Sequence, residues 1–306
     1  MQAFVFPGQG AQTVGMGRDL AEAYPAARAV FEEVDAALGE KLSQTIWEGP
    51  ADALTLTANA QPALMATSLA AYRALEAEGL AAPDFVAGHS LGEYSALCAA
   101  GSLMVADAAR LLRLRGEAMQ AAVPVGEGAM AAILGLDLAA VEAIASEAAA
   151  GEVCEAANDN DPAQIVVSGH RGAVERATAL ARERGAKRAV LLPVSAPFHC
   201  ALMQPAAAAM EQALGDVELG PPSAPLVANV TARPVTDPAE IRRLLVRQVT
   251  ARVRWRESVE WMAAEGVSRF VEVGAGKALS GMIRRIAKDA ETRAVGAAGD
   301  VAAAKG

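Results

Sequence analysis

The sequence predicts an α/β fold. A large domain with a central parallel sheet occupies residues 1–124 and 197–306, and a small βαββαβ subdomain is inserted at 125–196. Three observations predict it. The apolar runs Met1–Phe6 and Asp84–Ala87 each end in a glycine-rich turn and lead into helical patterns, the alternation expected of a parallel sheet with helices on both faces. After Pro124 the patterns change to strand, helix, two strands, helix, strand, which is the ferredoxin-like order. Between the second apolar run and its helix stands Gly88-His89-Ser90-Leu91-Gly92, a G-x-S-x-G motif in strand–turn–helix context.

The elements follow in order. Met1–Phe6 reads as a strand closed by the turn Pro7-Gly8-Gln9-Gly10, and helical patterns cover Ala26–Leu38 and Asn59–Gly79. Asn59 is the expected cap of the second helix, with Pro62 in its first turn and Gly79 at its end. Asp84–Ala87 is a strand, the elbow follows, and Val105–Ala122 is a helix. In the insert, Ala129–Gly135 is a strand and Leu138–Ala149 a helix. Val153–Ala157 and Gln164–Ser168 are strands split by the turn-rich Asn158-Asp159-Asn160-Asp161-Pro162, then Arg171–Arg184 is a helix and Arg188–Val194 a strand. The large domain resumes with helices near Leu202–Leu214, Pro238–Val249 and Arg256–Glu265, the strand Arg269–Val273 and the helix Ala278–Ala287. The small, polar end from Gly296 to Gly306 is expected to fray.

Bulk properties exclude several classes. The net charge of −9 lacks the basic footprint that nucleic-acid binding needs. No apolar run approaches the roughly 20 residues that span a bilayer, and the N-terminus lacks a basic n-region, so a cytoplasmic location is expected. Cys98, Cys154 and Cys200 are far apart and odd in number, as reduced thiols are.

G-x-S-x-G is the elbow of α/β-hydrolase-like sheets: flanking glycines allow the sharp turn, and the helix N-terminus aims N–H groups at developing negative charge. By pattern alone, a plain turn fits as well as a nucleophile; the strand–turn–helix context favours Ser90 as the nucleophile. A serine needs a base, and there are three histidines. His89 adjoins Ser90 and is expected to support the turn. His170 opens a helix of the insert and reads as solvated or capping. His199 stands where the chain re-enters the large domain, a common location for sites, and is the best base. The Leu91 N–H is the natural first oxyanion donor, and the loop Gly8–Gln12 can supply a second. Neither nucleotide motif is complete: Thr13 replaces the third glycine of G-x-G-x-x-G, and around Gly276-Lys277 the P-loop positions hold Val271 and Ala278. Arg113 and Arg115 are two apart on one helix and point to different faces, and composition alone favours surface exposure for either.

Together these segments resemble the malonyl-CoA:acyl carrier protein transacylase family. The resemblance rests on Phe6-Pro7-Gly8-Gln9-Gly10-Ala11-Gln12, Gly88–Tyr94, Arg115-Gly116 with Met119-Gln120, and Pro197-Phe198-His199. It continues through Asn229-Val230-Thr231, Gln248 with Val253-Arg254-Trp255, and Glu272–Lys277, so it spans essentially the whole chain. It implies a large α/β domain carrying a ferredoxin-like insert, Ser90 acylated with His199 as base, and Arg115 pairing with the malonyl carboxylate. It further implies Gln9 and Leu91 N–H groups as the oxyanion hole, and the Gln248 main-chain carbonyl orienting His199 in place of an aspartate. Asn158 or Asn160 is expected near the site.

The resemblance implies malonyl-CoA as thioester substrate with no permanently bound cofactor or metal, acyl carrier protein as acceptor, ping-pong turnover, and a place in fatty acid synthesis. An acidic carrier would dock on a local basic patch, for which Arg242, Arg243, Arg247, Arg252, Arg254 and Arg256 are candidates; a solvated helix face is the plainer reading. Some relatives carry a small residue where Phe198 stands, so its ring either excludes branched acyl groups or packs the core. Two rivals are an esterase or thioesterase, whose histidine stands near the C-terminus, and a silent carrier-binding module, which needs no nucleophile.

Overall fold

In the computed structural model, which describes residues 1–304, the strands in chain order are β1 (Gln2–Phe6), β2 (Phe85–Gly88), β3 (Gly128–Leu134), β4 (Cys154–Asp161), β5 (Gln164–His170), β6 (Arg188–Leu191), β7 (Leu226–Ala228), β8 (Arg233–Val235), β9 (Arg269–Val273) and β10 (Glu291–Val295). Ala3, Phe4, Val5 and Phe6 are all buried because helices cover both faces of their sheet. That sheet runs β10-β9-β1-β2-β7-β8, parallel throughout except for the β7–β8 hairpin at one edge. Alanine makes the close packing possible. The helix Thr57–Ala77 is buried along most of its length, and Ala60, Ala63, Ala66, Ala70 and Ala74 let the helices Pro25–Leu38 and Val105–Ala121 lie against it.

The second sheet is antiparallel, in the order β4-β5-β3-β6, with the helices Leu138–Ala149 and Arg171–Glu183 on one face. Alternation divides its side chains. Ala131, Ile133, Ile165 and Val167 join those helices in a separate apolar cluster, while Met130, Ala132 and Val166 join the main core. This second face roofs the cleft described below.

Several elements differ from expectation. Asn158-Asp159-Asn160-Asp161 is strand, not turn; only Pro162-Ala163 turns, with the Ala163 N–H bonded to Asp161 Oδ1 at 2.9 Å. Local turn preference yields to pairing with β5 and Val253 and to arginines distant in sequence. Asp159 pairs with Arg256 at 2.8 Å and Asp161 with Arg285 at 2.7 Å, both aspartates fully buried. Strand alternation then turns Asn158 and Asn160 the other way, into the cleft. The helix expected from Asn59 starts at Thr57, because the Asn59 amide donates to Ala53 O instead of capping. The C-terminal segment is ordered, not frayed. β10 completes the large sheet, and the helix Ala298–Ala303 buries Val301 and ties Ala298 N–H to Asp19. Lys305 and Gly306, the end of that tail, lie outside the described residues. Among the described residues no helix is long and apolar enough to cross a membrane.

Candidate active site

Two glycines make the elbow. A Cβ on Gly88 would lie 1.9 Å from the Gly92 carbonyl carbon, and one on Gly92 2.3 Å from Phe6 O, so β2 and the helix Gly92–Ala99 meet only where both lack side chains. Between them Ser90 is held with φ at +54°. His199 is also left-handed, at +58°. Non-glycine residues there cost on the order of 1–3 kcal/mol each, so surrounding contacts must hold both.

Those contacts bring the two side chains together. Ser90 Oγ lies 2.8 Å from His199 Nε2, and His199 Nδ1 lies 2.9 Å from the Gln248 carbonyl oxygen. A carbonyl only accepts, so Nδ1 carries the proton and the Nε2 lone pair faces the serine. Gln248 ends the helix Pro238–Gln248, whose last carbonyls are free to serve. Burial, with the Arg115 charge next, brings the His199 pKa down to about 3, so the imidazole is neutral at ordinary pH.

Arg115 is fully buried, unlike the surface position that composition favoured. Arg113, on the opposite face, pairs with Glu40 and Asn59. The guanidinium donates to Gln61 Oε1 at 2.7 Å, Gln248 Oε1 at 2.9 Å and Ser90 Oγ at 3.1 Å. No carboxylate touches it among the described residues, and burial lowers its pKa. Gly116 permits this placement: a Cβ there would lie 2.5 Å from Ala58 Cα, against the helix that carries Gln61.

A second layer secures the first. Asn229 Oδ1 accepts the Ser90 N–H at 2.8 Å, and its amide donates to Gly88 O at 2.7 Å. Buried Glu93 accepts the Asn229 N–H and the Gln248 amide, both at 2.5 Å. Burial raises the Glu93 pKa, and those two donors and the Arg115 charge oppose the rise. Sequence reading missed Gln61 entirely and assigned no role to Glu93 or Asn229. Glu93 was visible as an acid in an otherwise apolar helix, and Asn229 as a polar residue closing the apolar run Leu226–Ala228.

His199, Ser90, Leu91, Gln9 and Arg115 line one cavity of about 820 Å³, with Asn158 and Asn160 in its roof. His89 turns away from Ser90 and bonds Asn160 Oδ1 at 2.8 Å, tying elbow to roof. His170 stands at the N-cap position of the helix Arg171–Glu183, half-buried, but its side chain makes no capping bond; its Nδ1 accepts the Val153 N–H at 2.9 Å. The incomplete P-loop is occupied by the protein itself, since the Glu272 carboxylate accepts the Leu279 and Ser280 N–H groups at the start of the helix Ala278–Ile286. The arginines near Gln248 are largely paired: Arg243 with Glu240, Arg252 with Glu142, Arg254 with Glu257, and Arg256 with Asp159 and Glu260. Arg242 donates to Val217 O, and Arg247 has no ion pair among the described residues. Among these residues no group of three or more His, Cys, Asp or Glu could hold a metal ion.

Known proteins share this framework. Residues 3–301 match the acyl transferase domain family. The malonyl CoA-acyl carrier protein transacylase of Escherichia coli K12 is 51% identical, over 93% of this chain and 92% of its own. The crystal structure of an acyl-carrier-protein-S-malonyltransferase from Bartonella henselae is 60% identical and superposes with a TM-score of 0.97, covering 99% of this chain and 98% of that one. A type II PKS acyl-carrier protein in complex with its malonyl-transacylase includes a chain 43% identical, with a TM-score of 0.97 and coverage of 99% and 98%. The chain belongs to the acyl transferase domain family and, within it, to the malonyl CoA-acyl carrier protein transacylases.

Proposed function

We propose that the chain is a malonyl-CoA:acyl carrier protein S-malonyltransferase of fatty acid synthesis, working through a malonyl-Ser90 ester. One observation carries the reading: a fully buried guanidinium stands 3.1 Å from the serine with only neutral partners. A buried charge with no carboxylate in direct contact is unfavourable, and a substrate carboxylate beside the scissile carbonyl would supply that contact. Malonyl has that carboxylate; acetyl does not.

Ser90 Oγ attacks the malonyl thioester carbonyl as His199 Nε2 takes its proton. The oxyanion is received by the Leu91 and Gln9 N–H groups. Collapse breaks the C–S bond, and the proton on His199 goes to the CoA sulfur. The phosphopantetheine thiol of acyl carrier protein then gives its proton to His199 and attacks the ester; the Oγ–acyl bond breaks and the His199 proton returns to Ser90 Oγ, closing a ping-pong cycle. CoA arrives as substrate, and no step draws on a resident cofactor. Three buried free thiols and a CoA thioester substrate fit a reducing cytoplasm. Residues 125–196 act as an inserted ferredoxin-like subdomain and residues 1–124 and 197–306 as the catalytic domain; the separate apolar cluster within the insert supports this division.

The test is the fate of the acyl group. Protein loaded with malonyl-CoA should give malonyl-carrier protein much faster than free malonate. Malonate release at one rate with or without carrier protein would instead select a hydrolase.

Phe198 is nearly buried and lines the cavity beside His199. An added α-methyl there meets the ring, so methylmalonyl-CoA should react about 10- to 200-fold more slowly than malonyl-CoA, and Phe198→Ser should narrow the gap. Equal rates in the unaltered protein would assign Phe198 to packing alone. For docking, the patch Arg242, Arg243, Arg247 and Arg252 narrows to Arg247 and Arg242, whose charges no carboxylate pairs among the described residues, beside a groove of about 410 Å³ that Arg243 also lines. Arg247→Glu should raise the KM for carrier protein severalfold and leave that for malonyl-CoA unchanged, most clearly at low salt. An unchanged carrier KM would move docking to another face.

A further inference from the structure

We propose that Glu93 is a positioning residue for acyl selectivity, acting through the Gln248 amide on Arg115; this rests on the reading of Arg115 as the carboxylate receptor. The amide of Gln248 has a defined sense. Its nitrogen lies 2.5 Å from Glu93 Oε2 and 2.9 Å from Ser90 O, and its oxygen accepts from Arg115 Nη2 at 2.9 Å. Glu93 is buried, and both of its oxygens face N–H donors, Asn229 on one side and Gln248 on the other. In its ionised form, which an N–H donor on each oxygen favours, Glu93 only accepts, so it dictates which end of the amide points at it and, by the same turn, which end points at the guanidinium.

Glutamine at this position is isosteric but has a single acceptor oxygen. The Asn229 backbone N–H cannot turn away, so that oxygen stays with it and an NH₂ faces the Gln248 NH₂. Two donors in contact push the amide of Gln248 out of place. Its oxygen then leaves Arg115, which loses one of the three neutral acceptors holding it for the substrate. The direct charge effect runs the other way, since removing a buried negative charge near Arg115 would strengthen its pull on malonate. The sign of the change therefore separates the two routes.

The experiment measures kcat/KM for malonyl-CoA and acetyl-CoA in Glu93→Gln, Gln248→Ala, Arg115→Ala and the Glu93→Gln/Arg115→Ala pair. Glu93→Gln should lower the malonyl/acetyl ratio on the order of tenfold, mainly through the malonyl KM, and Gln248→Ala should lower it too. With Arg115 already alanine, Glu93→Gln should leave the ratio within about twofold. Equal loss on both substrates, or a raised ratio, would overturn the proposal. So would a Gln248→Ala protein that keeps the ratio, and this variant decides alone if Glu93→Gln does not fold. If Arg115→Ala itself keeps the ratio, the reading of Arg115 fails and the proposal with it. If Arg115→Ala changes the ratio and Glu93→Gln does not, only the proposal fails.

Discussion

His199→Ala is expected to slow acylation of Ser90 by malonyl-CoA by about 10²–10⁴-fold, with little change in overall stability. Among the described residues the imidazole is the only base within hydrogen-bond reach of the hydroxyl, at 2.8 Å. Its partner on the other nitrogen is a helix-terminal carbonyl, and among the described residues no carboxylate bonds the hydroxyl or the imidazole. Single-turnover release of CoA measures the step directly. A residual rate within tenfold of the unaltered protein would mean that another group takes the serine proton.

Arg115→Ala should reverse substrate preference. Acetyl-CoA bound in the unaltered protein leaves the guanidinium buried and unpaired, at a cost of about 2–5 kcal/mol, equivalent to roughly 30-fold to several-thousand-fold in selectivity. Removing the charge abolishes that penalty for acetyl and the corresponding attraction for malonyl, and both changes lower the malonyl/acetyl ratio. The same variant should shift the pH profile. The positive charge of Arg115 is the second cause, after burial, of the low His199 pKa. Without it the imidazole protonates at higher pH, so the acid edge of the acylation rate should move up from about 3 toward the ordinary histidine range. Stopped-flow rates between pH 4 and 7 check this; an acid edge that stays in place would show that burial alone sets the pKa.

Local pattern made much of this molecule legible. The elbow, both sheets and the order β-α-β-β-α-β follow from apolar runs and turn residues, and the helix Leu138–Ala149 has the expected bounds. What escaped depends on contacts distant in sequence. Asn158–Asp161 carry every local mark of a turn, but the ladder to β5, the backbone of Val253 and the side chains of Arg256, Arg285 and His89, most of them distant in sequence, keep them extended. The short strands β7 and β8 have three residues each, too few for a period to register. In the site, Ser90 and His199 stood out because the chemistry allows few candidates. Arg115 did not stand out from Arg113 by pattern, because its burial depends on Gly116 packing against Ala58 and on acceptors at positions 61 and 248. Gln61 was invisible because a glutamine in an alanine-rich helix is unremarkable until its oxygen meets a buried guanidinium.

Intact-protein mass spectrometry after brief exposure to malonyl-CoA, followed by peptide mapping, tests the account at its centre. A single malonyl adduct should form on Ser90, be absent from Ser90→Ala, and disappear when a pantetheine thiol is added. No adduct on the unaltered protein, or one that persists in Ser90→Ala, would contradict the assignment of Ser90 as the residue that carries the acyl group.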